Sequence, residues 1–316
     1  MPDEVSTSLS SPRARSNDGA ISGFVSTAEY LTLPCADQTW VVEDLIPTGG
    51  LTNLYGDPKT RKSYLALQIA AAVSTGARYL LGFPILTHGP VAYLQLDTPR
   101  ALWKARLEEV TELGLDVTQM KHADRELAPY PYDILRPDHA SWLHHYLLPI
   151  SPVLTIFDVT RELHRGNEDS SEQMQKVVSA LVEAVSPSAL LLVSHTRKPT
   201  IDASGHTHEN LIADARGSSY IPGRMDCIIK ATRKMLIYKG RTADERRLRV
   251  HFPTKRLWAL HVDEEVSNAV KSVLRDNTLG SMLQRAEALG QRIGRSTEAS
   301  RSILRRHLEE TGGEVS

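Results

Sequence analysis

Residues 50–73 read GLTNLYGDPKTRKSYLALQIAAAV, and the order of residue types in this stretch decides the fold. Gly50 to Tyr55 is an apolar run of strand length, Gly56 to Arg61 is polar and turn-forming, and Ser63 to Thr75 predicts a buried helix. Strand, turn and helix in that order are what a phosphate-binding loop requires. Successive backbone N–H groups and the positive helix N-terminus cradle phosphate oxygens, a lysine reaches the terminal phosphates, and a hydroxyl beside it holds Mg²⁺. The spacing from Gly56 to Lys62 and Ser63 fits, so Gly56, Asp57, Pro58, Lys59, Thr60, Arg61, Lys62, Ser63 and Tyr64 form the candidate cradle. The competing reading is a lysine-rich turn at a helix start. Arg61 stands where the pattern expects glycine, and if that position needs positive φ it costs roughly 1–2 kcal/mol of backbone strain.

Outward from this loop, apolar runs of strand length recur at Val91 to Leu96, Val153 to Phe157 and Ala189 to Ser194. Helical stretches at Pro99 to Leu113 and Ser170 to Val185 alternate with them. The alternation predicts an α/β domain with helices covering a mainly parallel sheet. In such domains ligands bind outside the carboxyl ends of the strands, which directs attention to what ends each run. VAYLQLD ends in Asp97, which either orients an attacking water or caps the following helix. VLTIFD ends in Asp158, a carboxylate suited to Mg²⁺, with a plain strand-end turn as the alternative. LLVSHTRKP carries His195, either a γ-phosphate sensor or a hydrogen-bonded structural histidine, followed by Arg197 and Lys198. Residues 199–219 form a long polar loop of the kind that is usually functional or disordered; its His206 and His208 lack a third metal ligand nearby and read as solvated. From Asp226 to Val262 closely spaced β-like runs predict antiparallel hairpins extending the sheet edge.

Composition bounds the rest. The 316 residues, 41% hydrophobic, suffice for one large core and a small second module, and 37 Lys+Arg against 38 Asp+Glu exclude a wholly basic nucleic-acid coat. Two cysteines, Cys35 and Cys227, far apart, exclude a disulfide scaffold and a structural zinc site. With no apolar stretch of membrane-spanning length and a start rich in Ser and Asp, the expectation is a soluble cytoplasmic protein without membrane contact. Residues 1–27 are expected to be a flexible tail, 28–262 the main domain and 263–316 an appended helical module.

Taken together, residues 40–255 resemble the RecA-like P-loop ATPase core, in the branch of RepA-type and DnaB-type hexameric replicative helicases. TWVVEDLIPTGGLTNLYGDPKTRKSYLALQIA (39–70), IFDVTRELHRGNEDSSEQM (156–174), and LLVSHTRKP leading through the polar loop to ARGSSYIPGRMD carry the likeness. The resemblance implies ATP and Mg²⁺ as cofactors, a ring, most simply a hexamer, with sites between subunits, and single-stranded DNA at the 200–215 loop. It implies Asp97 in the place of a water-activating glutamate, with a shorter reach, and His195 as the phosphate sensor. IYKGRTADERRLRV (237–250) is similar to the segment that serves the neighbouring subunit's nucleotide, so Lys239 and Arg241 become candidate trans-acting cations and Arg216 a weaker one. A solvated hairpin turn is the alternative for the first two.

The C-terminal stretch 278–313 has two helical segments about a glycine-bearing turn, a helix-turn-helix-like spacing. Between Arg285 and Arg306 six arginines face Glu287 and Glu298, a formal charge of +4 hidden by the near-neutral total. Arg301 and Arg305 are placed to meet DNA phosphates; a protein-interaction module is the alternative. The functions left standing are an ATP-hydrolysing, helicase-like DNA motor of replication or recombination, and a nucleotide-gated DNA-binding or regulatory protein with little turnover. A small-molecule kinase has no evident acceptor-binding lid in this sequence.

Overall fold

The computed structural model describes residues 24–33, 38–81, 83–196, 223–241, 244–254, 256–260, 266, 270, 273–276, 278–293 and 295–311. The chain divides into two compact units, 1–37 and 38–316. In the first, helix α1 (Thr27–Tyr30) starts at a capping box: the Ser26 side chain accepts from the Glu29 N–H, and Glu29 reaches back to the Ser26 N–H at 2.8 Å.

The second unit is built on a nine-stranded mixed sheet with helices on both faces. Its parallel centre comprises β3 (Leu51–Gly56), β6 (Val91–Gln95), β7 (Met120–Asp124), β8 (Leu154–Asp158), β9 (Ala189–His195) and β10 (Cys227–Ala231). Beyond β10, strands β11 (Met235–Gly240), β12 (Arg246–His251) and β13 (Ala259–Leu260) add antiparallel, as the hairpin pattern predicts. The order is β13-β12-β11-β10-β3-β9-β8-β6-β7. Inserting β9 between the loop-bearing β3 and the Asp158-bearing β8 is the RecA-like arrangement. Two small hairpins, β1 (Trp40–Val42) with β2 (Ile46–Pro47) and β4 (Tyr79–Leu80) with β5 (Phe83–Pro84), lie outside this sheet.

Alternation along the strands sends Leu54, Tyr93, Ile156 and Leu191 into one core and Tyr55, Leu94, Phe157 and Leu192 into another. The first is covered by α2 (Lys62–Thr75), whose Leu65, Ile69, Ala70 and Val73 are buried, and by Trp103 and Val110 of α3 (Arg100–Glu112). The second is covered by Leu143 and Leu147 of α4 (Pro137–Leu147) and by the apolar stripe Met174, Val177, Val178 and Leu181 of α5 (Ser171–Val185). Each such side chain contributes about 1.5–3 kcal/mol by leaving water. Helix α5 begins where a serine can cap it, Ser170 Oγ accepting from Gln173 N–H.

Sequence reading misses β7 and α4. MKHAD holds one strongly apolar residue, because an edge strand needs little core face; α4 carries its signal in Pro137 at the first turn and Asp138 beside it. Helices α6 (Met282–Ile293) and α7 (Thr297–Thr311) pack around a separate cluster that includes Val270, Val273, Ala286, Leu289 and Leu304. Their approach is close: a Cβ on Gly290 would lie 2.7 Å from the Arg295 carbonyl oxygen. Arg78 and Glu309 link α7 to the sheet domain at 3.7 Å. Among the described residues no helix is long and apolar enough to cross a membrane.

Gly56 ends β3 against β10 so closely that a Cβ there would lie 2.2 Å from the Ala231 carbonyl oxygen. Gly56→Ala is therefore expected to lower stability by about 1–3 kcal/mol through overpacking, read as a lower urea midpoint at unchanged slope. An unchanged midpoint would show that β10 yields without cost.

Candidate functional site

Parallel pairing aligns the strand ends at one rim. Gly56 pairs with His195, Asp158 with Val193, and Gln95 with Asp158. The loop leaving β3, the carboxylate ending β8 and the histidine ending β9 are thereby neighbours without any of them being near another in sequence.

Lys62, the first residue of α2, is 5% exposed. Its ammonium donates to the carbonyls of Gly56 at 2.7 Å and Asp57 at 2.8 Å, and lies 3.5 Å from His195 Nδ1. Burial pulls its pKa down to about 8, against the opposing pull of Asp158 and Asp57. Asp158 is 1% exposed, accepts from the Tyr93 hydroxyl at 2.8 Å, and has an Oδ1 atom that is buried without a hydrogen-bond partner. Burial raises its pKa, while the Ser63 and Tyr93 hydroxyls and the charges of Arg106 and Lys62 hold it down against that rise. A buried carboxylate oxygen lacking a donor, with the Ser63 hydroxyl beside it, fits a hard cation that seeks oxygen ligands. Among the described residues no group of three or more His, Cys, Asp or Glu side chains forms a metal site by itself. Ser63 and Asp158 would therefore share Mg²⁺ with the oxygens of a bound phosphate chain.

The loop holds two non-glycine residues at positive φ, Lys59 at 65° and Arg61 at 67°. Arg61 thus meets the condition under which arginine is strained there. Its guanidinium lies over the Phe252 ring, 4.0 Å from the centroid, and its carbonyl accepts from the Trp258 indole at 3.0 Å. A cation–π contact of about 0.5–2 kcal/mol is of the same size as the strain.

Asp97 follows β6 and is exposed; its N–H and that of Thr98 donate to the buried Gln95 side chain at 2.7 and 2.9 Å. The cap of α3 is Pro99, with no side-chain cap bond, so Asp97 is not the capping residue. It lines a cleft of about 570 Å³ together with Lys59, Arg61, Lys62, Ser63, Tyr64, Arg106, Asp158, His195 and Arg256. Five of these are cations and two are carboxylates, leaving an excess of positive charge suited to a polyanion.

Lys239 and Arg241 do not join this cleft. Gly240 pairs with Cys227 at the start of β10, so both residues sit at the other end of the sheet; Arg241 donates to Asp226 at 2.7 Å and to the Arg224 carbonyl at 2.8 Å. On α7, Arg305 is exposed, whereas Arg301 is half-buried with Nε lacking a partner. Arg197, Lys198, Arg216, His206 and His208, like most of the proposed tail, lie outside the described residues.

The structure adds residues that sequence reading passed over. Arg106 lines the cleft, stacks near the rings of Tyr64 and Trp103 at 5.4 and 5.5 Å, and keeps a buried Nη1 without a partner. Tyr93 anchors Asp158, and Arg256 arrives from the far side of the sheet. One signal for Arg106 was present: a cation beside the Trp103–Val110 stripe of an amphipathic helix.

The AAA-domain family matches residues 20–200. Among solved structures, the ATPase domain of a DnaB-like helicase superimposes with a TM-score of 0.49 at 10% identity, covering 68% of this chain and 85% of that one. A KaiC-like protein, PH0186 of the hyperthermophilic archaeon Pyrococcus horikoshii OT3, gives 0.43 at 11% identity, with 70% and 94% covered. No curated protein matches the chain.

The depressed Lys62 pKa has a thermodynamic consequence. Phosphates placed beside the ammonium favour its charged form, so its pKa rises from about 8 on binding and a proton is taken up. Affinity for a triphosphate is then expected to fall as pH rises through that value. Calorimetry at pH above 8 in buffers of different ionisation enthalpy measures the uptake; Lys62→Arg, whose charge does not titrate, should abolish it, and equal heats in all buffers for the wild type would contradict the assignment.

Proposed function

The chain belongs to the AAA-domain family of P-loop ATPases, and from that premise we propose that it is an ATP-driven, helicase-like DNA motor of replication or recombination, assembled as a ring in the cytoplasm. The observation that supports this reading is the convergence of Lys62, Ser63 and the incompletely partnered Asp158 in one positively charged cleft. In it, Lys62 exchanges its bonds to the Gly56 and Asp57 carbonyls for β- and γ-phosphate oxygens. Mg²⁺ held by Ser63 and Asp158 supplies charge neutralisation on those oxygens.

Asp97 accepts a proton from water as the water oxygen bonds to the γ-phosphorus; the bond to the β,γ-bridging oxygen breaks, and ADP leaves with the electron pair. His195, against Lys62, responds to the loss of the γ-phosphate. Arg106 shares the charge on the transferred group from within the same subunit, while Lys239 and Arg241, at the opposite end of the sheet, serve a neighbour's cleft. Single-stranded DNA is bound by the 200–215 loop with Arg197 and Lys198, and the 263–316 module adds Arg301 and Arg305.

A second reading, a nucleotide-gated DNA-binding protein with little turnover, is favoured by one observation: Arg61 is held at positive φ by Phe252, where glycine would leave the loop free. The two readings separate in an ATPase assay with and without single-stranded DNA. A motor should be stimulated by DNA, and Lys62→Ala should lose activity by roughly 10²-fold or more; absence of both effects sinks the motor. Mixing Arg241→Ala with Lys62→Ala subunits should restore activity if sites are completed in trans, and failure at every ratio would assign Arg241 to its pair with Asp226 alone.

A further inference from the structure

The nucleotide reading above leaves open how the cleft treats the rest of the ligand. We propose, resting on that reading, that the base is received by stacking on two planar guanidinium groups, Arg61 and Arg256, so that this site recognises a nucleotide base by its face and not by its edge.

Both groups are held flat before any ligand arrives. Arg61 lies on Phe252, which meets Trp258 edge-on at 4.9 Å and 71°. Trp258 closes the circuit through its indole bond to the Arg61 carbonyl, and its backbone is tied both ways to the Gln68 side chain of α2, at 2.7 and 3.2 Å. Arg256 lies over the Tyr64 ring at 5.3 Å, and Glu109 accepts from both of them, from Arg256 Nε at 2.5 Å and from the Tyr64 hydroxyl at 2.7 Å.

The strand order puts β12 and β6 on opposite sides of β3, so the 252–258 connection, which ends on Glu109 of α3, spans the cleft. It brings Arg256 beside the cradle, while Arg61 and Tyr64 flank the Lys62–Ser63 pair that takes the phosphates. A guanidinium has two faces. An aromatic ring occupies one face of each, and the other is available to a π-surface of the same kind. Among the described residues Arg61 makes no ion pair that would claim it otherwise. Arginine in place of glycine is then a ligand-facing residue whose backbone strain is offset by Phe252.

The test compares binding of ATP, GTP and inorganic tripolyphosphate, the last carrying phosphates without a nucleoside. The wild type is expected to bind ATP and GTP with comparable affinity, and both roughly 5- to 150-fold tighter than tripolyphosphate, the range of one base-stacking contact. The double variant Arg61→Lys, Arg256→Lys keeps both charges and loses both planes. It should bind tripolyphosphate as the wild type does while losing most of the excess affinity for ATP, with thermal unfolding checking that it folds. The proposal is overturned if the double variant keeps the excess, or if the wild type separates ATP from GTP more strongly than ATP from tripolyphosphate. If tripolyphosphate binding is absent, or is unaffected by Lys62→Ala, the nucleotide reading fails first and the base site with it.

Discussion

Everything at this site depends on the hydrogen-bonded register of four parallel strands. Because β3, β9, β8 and β6 pair in line, Gly56, His195, Asp158 and Gln95 end at one rim, and the next residues of each strand must turn away together. A slip of one residue in any pair would reverse the faces of its strand, burying polar groups and exposing Leu54, Ile156 or Leu191. The two apolar cores therefore hold the chemistry in place, although no core residue takes part in it. Gly56 shows how little tolerance there is, since its α-carbon passes under the Ala231 carbonyl with no room for a methyl group.

Within that frame the site carries groups that favour a ligand over the empty fold. Lys62 and Asp158 are both removed from water, and burial works against the charge on each: down for the ammonium, up for the carboxyl. Their partners are incomplete, with Asp158 Oδ1 unpaired and Arg106 Nη1 in the same condition. Buried polar groups of this kind cost stability that a well-packed apolar substitute would not. The cost is concentrated at one cleft whose charge excess suits a phosphate chain, which is the pattern of a protein that trades local stability for binding.

Arg61 extends the same logic to the backbone. The loop needs a left-handed residue where α2 begins, glycine meets that need without strain, and this chain uses arginine with φ 67°. What makes the substitution tolerable lies about 190 residues away, in the Phe252 and Trp258 rings and their bonds to Arg61 and Gln68. The P-loop and the last strands of the sheet are thus one mechanical unit, which an ordinary glycine loop does not require.

The stretch 50–73 determined the strand–loop–helix unit, because apolar periodicity and the order of Gly56, Lys62 and Ser63 are local properties. Strand ends at Asp97, Asp158 and His195 were legible for the same reason: each closes an apolar run. Sequence did not reveal β7 or α4, since an edge strand and a short capped helix bury too few residues to leave a periodic pattern. Nor did it separate the roles open to Asp97, whose capping role is excluded only by Pro99 occupying the cap. Tyr93 on Asp158, Arg106 and Arg256 at the cleft, and Phe252 beneath Arg61 were decided by tertiary structure alone. Those contacts join elements that are neighbours only after the sheet is ordered β12 to β6 around β3, and pairing order is a property of the whole chain that no local run of residues encodes.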